Sequence, residues 1–193
     1  EFPLSFNEFC RFKNIKTNGF TEIDRIRLKN AFMEFNHSSA FPEVVLIPEK
    51  SMKDRKLQGY FNTMLFRDLI EHYQLNNPEV VRYFLKRVMA NLSKPTSINS
   101  IFNDLKSQGL KVGKDKLYEL AEHCCSIFLF FRVPKYDRSM IKENSSLPKY
   151  YCIDNGIRNA VLLPQSDDDG KLLENTVFLA LRRVLKPCDK ILY

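Results

Sequence analysis

Lys111, Lys114 and Lys116 cluster just ahead of Tyr118, and Lys135 and Arg138 follow a short apolar run. Closely spaced cations beside an aromatic ring suit the phosphate and sugar backbone of nucleic acid, which supplies most sequence-independent affinity. At the start of a helix, such residues meet the major groove in helix-turn-helix docking. On a hairpin loop, they grip phosphate or the minor groove. Asp115, Glu119 and Glu122 lie on the same predicted helix. A packing or partner-binding role therefore competes with nucleic-acid contact.

Other constellations fail on spacing. Gly109-Leu-Lys-Val-Gly113-Lys114-Asp115 is one residue too short for a phosphate loop and has Asp where a magnesium-binding hydroxyl belongs. Asp167, Asp168 and Asp169 are consecutive, whereas calcium loops alternate their ligands, so a solvated loop is expected over 165–170. Cys10, Cys124, Cys125, Cys152 and Cys188 show no metal-ligand spacing and are odd in number, which fits buried thiols in a reducing compartment. His37, His72 and His123 lie far apart. Asp154 precedes a segment of helical character and is expected to cap it. No catalytic constellation and no cofactor site is predicted in this chain.

The cations need elements to hold them. Asn77-Pro78 suits a helix start, and Val80, Val81, Phe84, Leu85, Val88, Met89 and Leu92 form a helical stripe. Ser97 starts a second helix with Ile98, Ile101, Phe102 and Leu105 inside, and Gly109 ends it. A third runs from about Gly113 to Cys125 with Leu117, Leu120, Ala121 and Cys124 inward. Residues 127–133 and 149–154 read as antiparallel strands joined by a polar loop over 135–148. Three helices followed by a hairpin give the winged-helix order, with a tight turn at Gly109.

Upstream, Ser5 and Glu8 have capping-box spacing, and Ile23, Ile26, Leu28, Ala31, Phe32 and Phe35 recur near helical spacing. Residues 57–73 form an amphipathic helix carrying Tyr60, Phe61, Met64, Leu65, Leu69 and Ile70. Downstream, a helix from Leu172 to Leu185 is expected to turn Leu173, Val177, Phe178 and Leu181 inward, with Arg182 and Arg183 outward. The expected architecture is mainly α with a small antiparallel β hairpin. A helical connector (1–75) precedes a winged helix-turn-helix (76–163) and a final segment (164–193).

Composition agrees with a globular chain. Of 193 residues, 44% are hydrophobic and 27% charged, which excludes collagenous and wholly disordered classes. The net charge of +7 favours anionic partners. No apolar run approaches the ~18 residues that span a membrane. No membrane partner is expected, and the location is expected to be cytoplasmic.

Several segments together resemble the C-terminal part of prokaryotic AAA-type ATP-binding proteins that carry a domain of unknown function behind the ATPase. They are 3–9, Phe41-Pro42-Glu43, 60–68, 98–115, 131–136, 150–156 and 172–175. Two glycines usually precede Phe-Pro-Glu in that family; here Ser39 and Ala40 stand there. The resemblance implies that an ATPase domain, with its ATP and magnesium sites, lies before residue 1. It also implies that residues from 164 open a restriction-endonuclease-like domain, to which Glu174 would contribute its first acid. The expected function is that of a non-catalytic segment whose winged helix couples the ATPase to double-stranded DNA or to a protein. Its expected partners are DNA, that ATPase domain and a second copy of the chain. The alternatives are a stand-alone DNA-binding regulator and a protein-interaction module.

Overall fold

Glu8 N–H donates to Ser5 Oγ at 3.3 Å, and Ser5 N–H donates to Glu8 Oε2 at 2.7 Å, closing the expected capping box over α1 (Phe6–Phe12). Thr21 and Asp24 repeat the device at α2 (Glu22–His37). The structure is a computed structural model that describes residues 2–19, 21–163, 168–186 and 189–193. The chain is mainly helical and has one two-stranded antiparallel sheet among the described residues. It forms two compact units, one of residues 1–61 with 153–180 and one of residues 62–152 with 181–193.

The first unit contains α1, α2, α3 (Pro42–Val45), most of α4 (Lys50–Thr63), α9 (Asn155–Val161) and the first three turns of α10 (Asp169–Val184). Phe9, Cys10, Ala31 and Val45 form a buried cluster against which Leu28 and Phe35 pack. Phe6 meets Phe32 edge-on at 5.3 Å, and Phe9 meets Phe35 at the same distance. Such offsets suit the aromatic quadrupole. Ile23 and Ile26, by contrast, face solvent.

In the second unit, the helix of α4 continues as a π-helix over Met64–Glu71, with i→i−5 bonds from His72 N–H to Arg67 C=O and from Leu75 N–H to Ile70 C=O. Leu65 and Leu69 are buried on this π-helix, as Leu57 and Phe61 are on α4 in the first unit. Next come α5 (Pro78–Ala90), α6 (Ile98–Ser107), α7 (Lys114–Ser126), β1 (Phe130–Val133), α8 (Met140–Ser145) and β2 (Lys149–Cys152). Asn77 and Ser97 cap α5 and α6 as expected. All seven stripe residues from Val80 to Leu92 are buried, as are Leu117, Leu120, Ala121 and Cys124 of α7. Gly109 takes φ +75°, a conformation glycine enters without steric cost, and so folds α6 toward α7. The sheet pairs Phe130 with Cys152 and Val133 with Lys149.

The structure corrects five expectations, one of them the end of the second strand, which stops at Cys152 rather than Asp154 because Asp154 caps α9. The first strand starts at Phe130 rather than Ile127, because Phe128 N–H and Leu129 N–H bond back to the Cys125 and Cys124 carbonyls and close the end of α7. The 135–148 connection contains the short helix α8. On α10 the buried residues are Leu172, Asn175 and Phe178, while Leu173, Val177 and Leu181 are exposed. Within the expected acidic loop, 165–167 lie outside the described residues, but Asp168 is buried and Asp169 begins α10.

Gly156 is fixed by space. A Cβ there would sit 2.5 Å from the Ser39 backbone nitrogen. Gly156→Ala is expected to cost about 1–3 kcal/mol by overpacking. Gly59→Ala, in an open position inside α4, should stabilise by about 0.5–1 kcal/mol. Urea denaturation of both variants checks the contrast.

Candidate nucleic-acid interface

Burial of Leu117, Leu120, Ala121 and Cys124 turns the remaining face of α7 outward. Lys114 and Lys116, in its first turn, are exposed, and Tyr118 is 49% exposed on the next. Lys111 is exposed in the turn before it. Charge along this face is uneven. Lys116 Nζ lies 2.7 Å from Glu119 Oε2, and Arg132 of β1 lies 3.8 Å from Glu122. The first turn thus leads with Lys114, while the later turns are acidic and partly neutralised.

Lys111 borders two depressions. One, of about 640 Å³, is lined by Phe102, Lys106, Gly109 and Lys111. The other, of about 330 Å³, brings Lys111 and Lys116 together with Glu119, Tyr73 and His123. The Tyr73 and His123 rings stack there at 3.6 Å with 12° between planes. Lys114, Tyr118, Lys135 and Arg138 line neither. Lys135 and Arg138 are exposed on the segment between β1 and α8, where Asp137 Oδ1 accepts the Ser139 N–H at 2.9 Å. Lys106 is an exposed cation that local pattern missed. It lines the same depression as Lys111 because the Gly109 turn folds the chain back, and that turn was the signal available.

A second polar cluster lies within the first unit and joins segments that carry the resemblance. Asp154 Oδ1 accepts the Ile157 N–H at 3.0 Å, capping α9 as expected, and Oδ2 accepts the Ala40 N–H at 2.8 Å. Burial pushes its carboxyl up to about 6, while bonds from Ala40, Ile157, Ser39 and Gly156 pull it the other way. Asn155 Nδ2 donates to the Asn36 carbonyl at 2.8 Å, and Asn175 Nδ2 donates to Asn155 Oδ1 at 2.9 Å. Arg158 and Asp168 form a buried ion pair at 2.7 Å, with Lys171 2.8 Å from the other carboxylate oxygen. Glu43 accepts the Tyr60 hydroxyl and pairs with Lys56 at 2.7 Å. These groups satisfy one another and hold backbone together.

No group of three His, Cys, Asp or Glu among the described residues could hold a metal ion. Burial raises the Cys124 thiol, and burial with nearby Glu122 pushes Cys125 up to about 11, so neither is a ready thiolate. Cys188 lies outside the described residues. No helix of the described residues is long and apolar enough to cross a membrane.

The chain belongs to the family described as "Domain of unknown function (DUF8612)", which matches residues 31–168. It is 32% identical over 183 residues to the uncharacterized protein MJ1544 of Methanocaldococcus jannaschii, covering 94% of this chain and 40% of that protein. It is 24% identical over 185 residues to an uncharacterized protein of Haemophilus influenzae, covering 94% of this chain and 44% of that one. The chain therefore spans less than half the length of the curated relatives it matches. No solved structure matches it.

Proposed function

We propose that α5–α7 and the β1–β2 hairpin are a winged helix-turn-helix that binds duplex DNA, with α7 as recognition helix and the 134–148 connection as wing. Lys111, Lys114, Lys116 and Tyr118 meet the first DNA backbone, and Lys135 and Arg138 grip an adjacent one. In this reading the chain is the coupling segment of an AAA-type ATP-binding protein. ATP and magnesium belong to another part of that protein, and its ATPase domain is a partner of this segment. The observation that carries the reading is the exposed start of α7, where Lys111, Lys114 and Lys116 outnumber Asp115 and a buried stripe anchors the helix from behind. The relatives extend well beyond the matched stretch, which leaves room for an ATPase domain.

The test is fluorescence anisotropy with a duplex of about 20 base pairs at about 50 mM salt, where non-specific binders reach micromolar affinity. Reversing Lys111, Lys114 and Lys116 to Glu should weaken binding by about 100-fold or more. Equal affinity in the reversed variant would remove the assignment of α7.

Glu119 and Glu122 favour a second reading, a protein-interaction module, because they neutralise Lys116 and Arg132 on the same face. A wild-type chain that ignores duplex DNA at low salt yet is pulled down by the isolated ATPase domain of its own protein would establish it.

A further inference from the structure

Helix α2 is apolar on two opposite sides. Leu28, Ala31 and Phe35 face the cluster around Phe9, Cys10 and Val45. On the other side Ile23, Ile26 and Met33 are exposed at 62%, 53% and 44%, with exposed Asn30 between them. The spacing from 23 to 26, 30 and 33 is that of alternating a and d positions in a heptad, and the side buried in the unit falls on b, c and f, joined beyond Met33 by buried Asn36 at g. In this register Glu22 and Lys29 occupy g, while Arg27 and Glu34 occupy e. When two such helices run parallel, each g position faces the e position five residues further on in the other chain. Glu22 then meets the partner's Arg27, and Lys29 meets the partner's Glu34, opposite in sign both times.

We propose that α2 is a self-association surface, on which a second copy of this chain packs its own α2 in parallel along Ile23, Ile26, Asn30 and Met33. Asn30 sets the direction. In a parallel pair it faces its own copy, and the two amides hydrogen-bond. In an antiparallel pair it would lie against Ile26 of the other chain and bury an amide against hydrocarbon, which costs about 1–3 kcal/mol per unsatisfied group. An open depression of about 590 Å³, lined by Lys16, Arg27, Asp24, Glu34 and Asn30 among others, borders the seam and leaves room for the partner's Glu22 to reach Arg27. Glu34 already holds Lys13 at 2.5 Å and Lys53 at 3.7 Å, whereas Glu22 makes a loose, exposed contact with Arg25 at 3.9 Å, so the Glu22–Arg27 contact is the more sensitive charge probe. The seam is short, and a dimer of about 10 μM affinity is expected.

Sedimentation equilibrium of the whole chain up to about 0.2 mM tests this. The wild type should dimerise. Ile26→Lys with Met33→Lys should weaken association at least tenfold without lowering the melting temperature, since both side chains are exposed. Glu22→Lys should weaken it, and adding Arg27→Glu should restore it; that charge pair decides the matter if the double lysine variant fails to fold. A short bismaleimide should link Asn30→Cys chains above the wild-type background. A chain monomeric throughout, a dimer indifferent to the lysine and charge variants, or no crosslinking at position 30 would each overturn the proposal.

Discussion

Asp168→Ala is expected to cost about 3–5 kcal/mol, the range for breaking a buried ion pair by removing one partner. Both Asp168 and Arg158 have side chains 3% exposed, and Lys171, the second cation on the same carboxylate, is 12% exposed. Removing the carboxylate leaves buried Arg158 and half-buried Lys171 facing the place where it stood. Arg158→Ala should cost less, because Lys171 still neutralises Asp168. Replacing all three by apolar residues of similar shape should recover most of the loss, since well-packed hydrocarbon often matches a buried charge cluster. Urea denaturation of the single and triple variants measures each step. Equal stability of Asp168→Ala and wild type would show that the pair does not hold α9 and α10.

Asp154 gives the second large effect, and it depends on pH. Asp154→Ala removes the cap of α9 and the acceptor for the Ala40 N–H, a combined loss of about 2–4 kcal/mol. The carboxyl lies at about 6 in the folded chain against an ordinary 3.8. The folded state therefore holds the proton more tightly than the unfolded state. The stability this gives is complete below the ordinary value and is lost as pH rises through about 6. Between pH 4 and pH 7 that difference amounts to about 2 kcal/mol of lost stability. Asp154→Asn keeps an acceptor for Ile157 and cannot ionise. Subtracting its stability curve from that of the wild type should isolate the fall. A flat difference across this window would contradict the burial-driven shift.

Sequence revealed the helices where one local period admitted one solution. The stripe from Val80 to Leu92 has no competing face, and it is buried as spaced. On α10, Leu173, Val177 and Leu181 offered a helical stripe as good as Leu172 and Phe178. The choice fell to Asn175, whose amide bonds Asn155, a residue distant in sequence. Likewise Asp168 looked like part of a solvated run because its partner, Arg158, is set by tertiary packing. Exposed cations were easier: Lys111, Lys114, Lys116, Lys135 and Arg138 are all at the surface, since an unpaired charge resists burial. Their mutual arrangement was not legible, because it depends on the turn at Gly109 and on where α7 ends at Phe128.

The salt dependence of duplex binding tests the proposed role of α7 and the wing most directly. Five cations on phosphates predict a log–log slope of about −4 to −5, and Lys114→Gln should make it shallower by about 1. A slope near zero, or no association at low salt, would contradict a DNA-binding role for this chain.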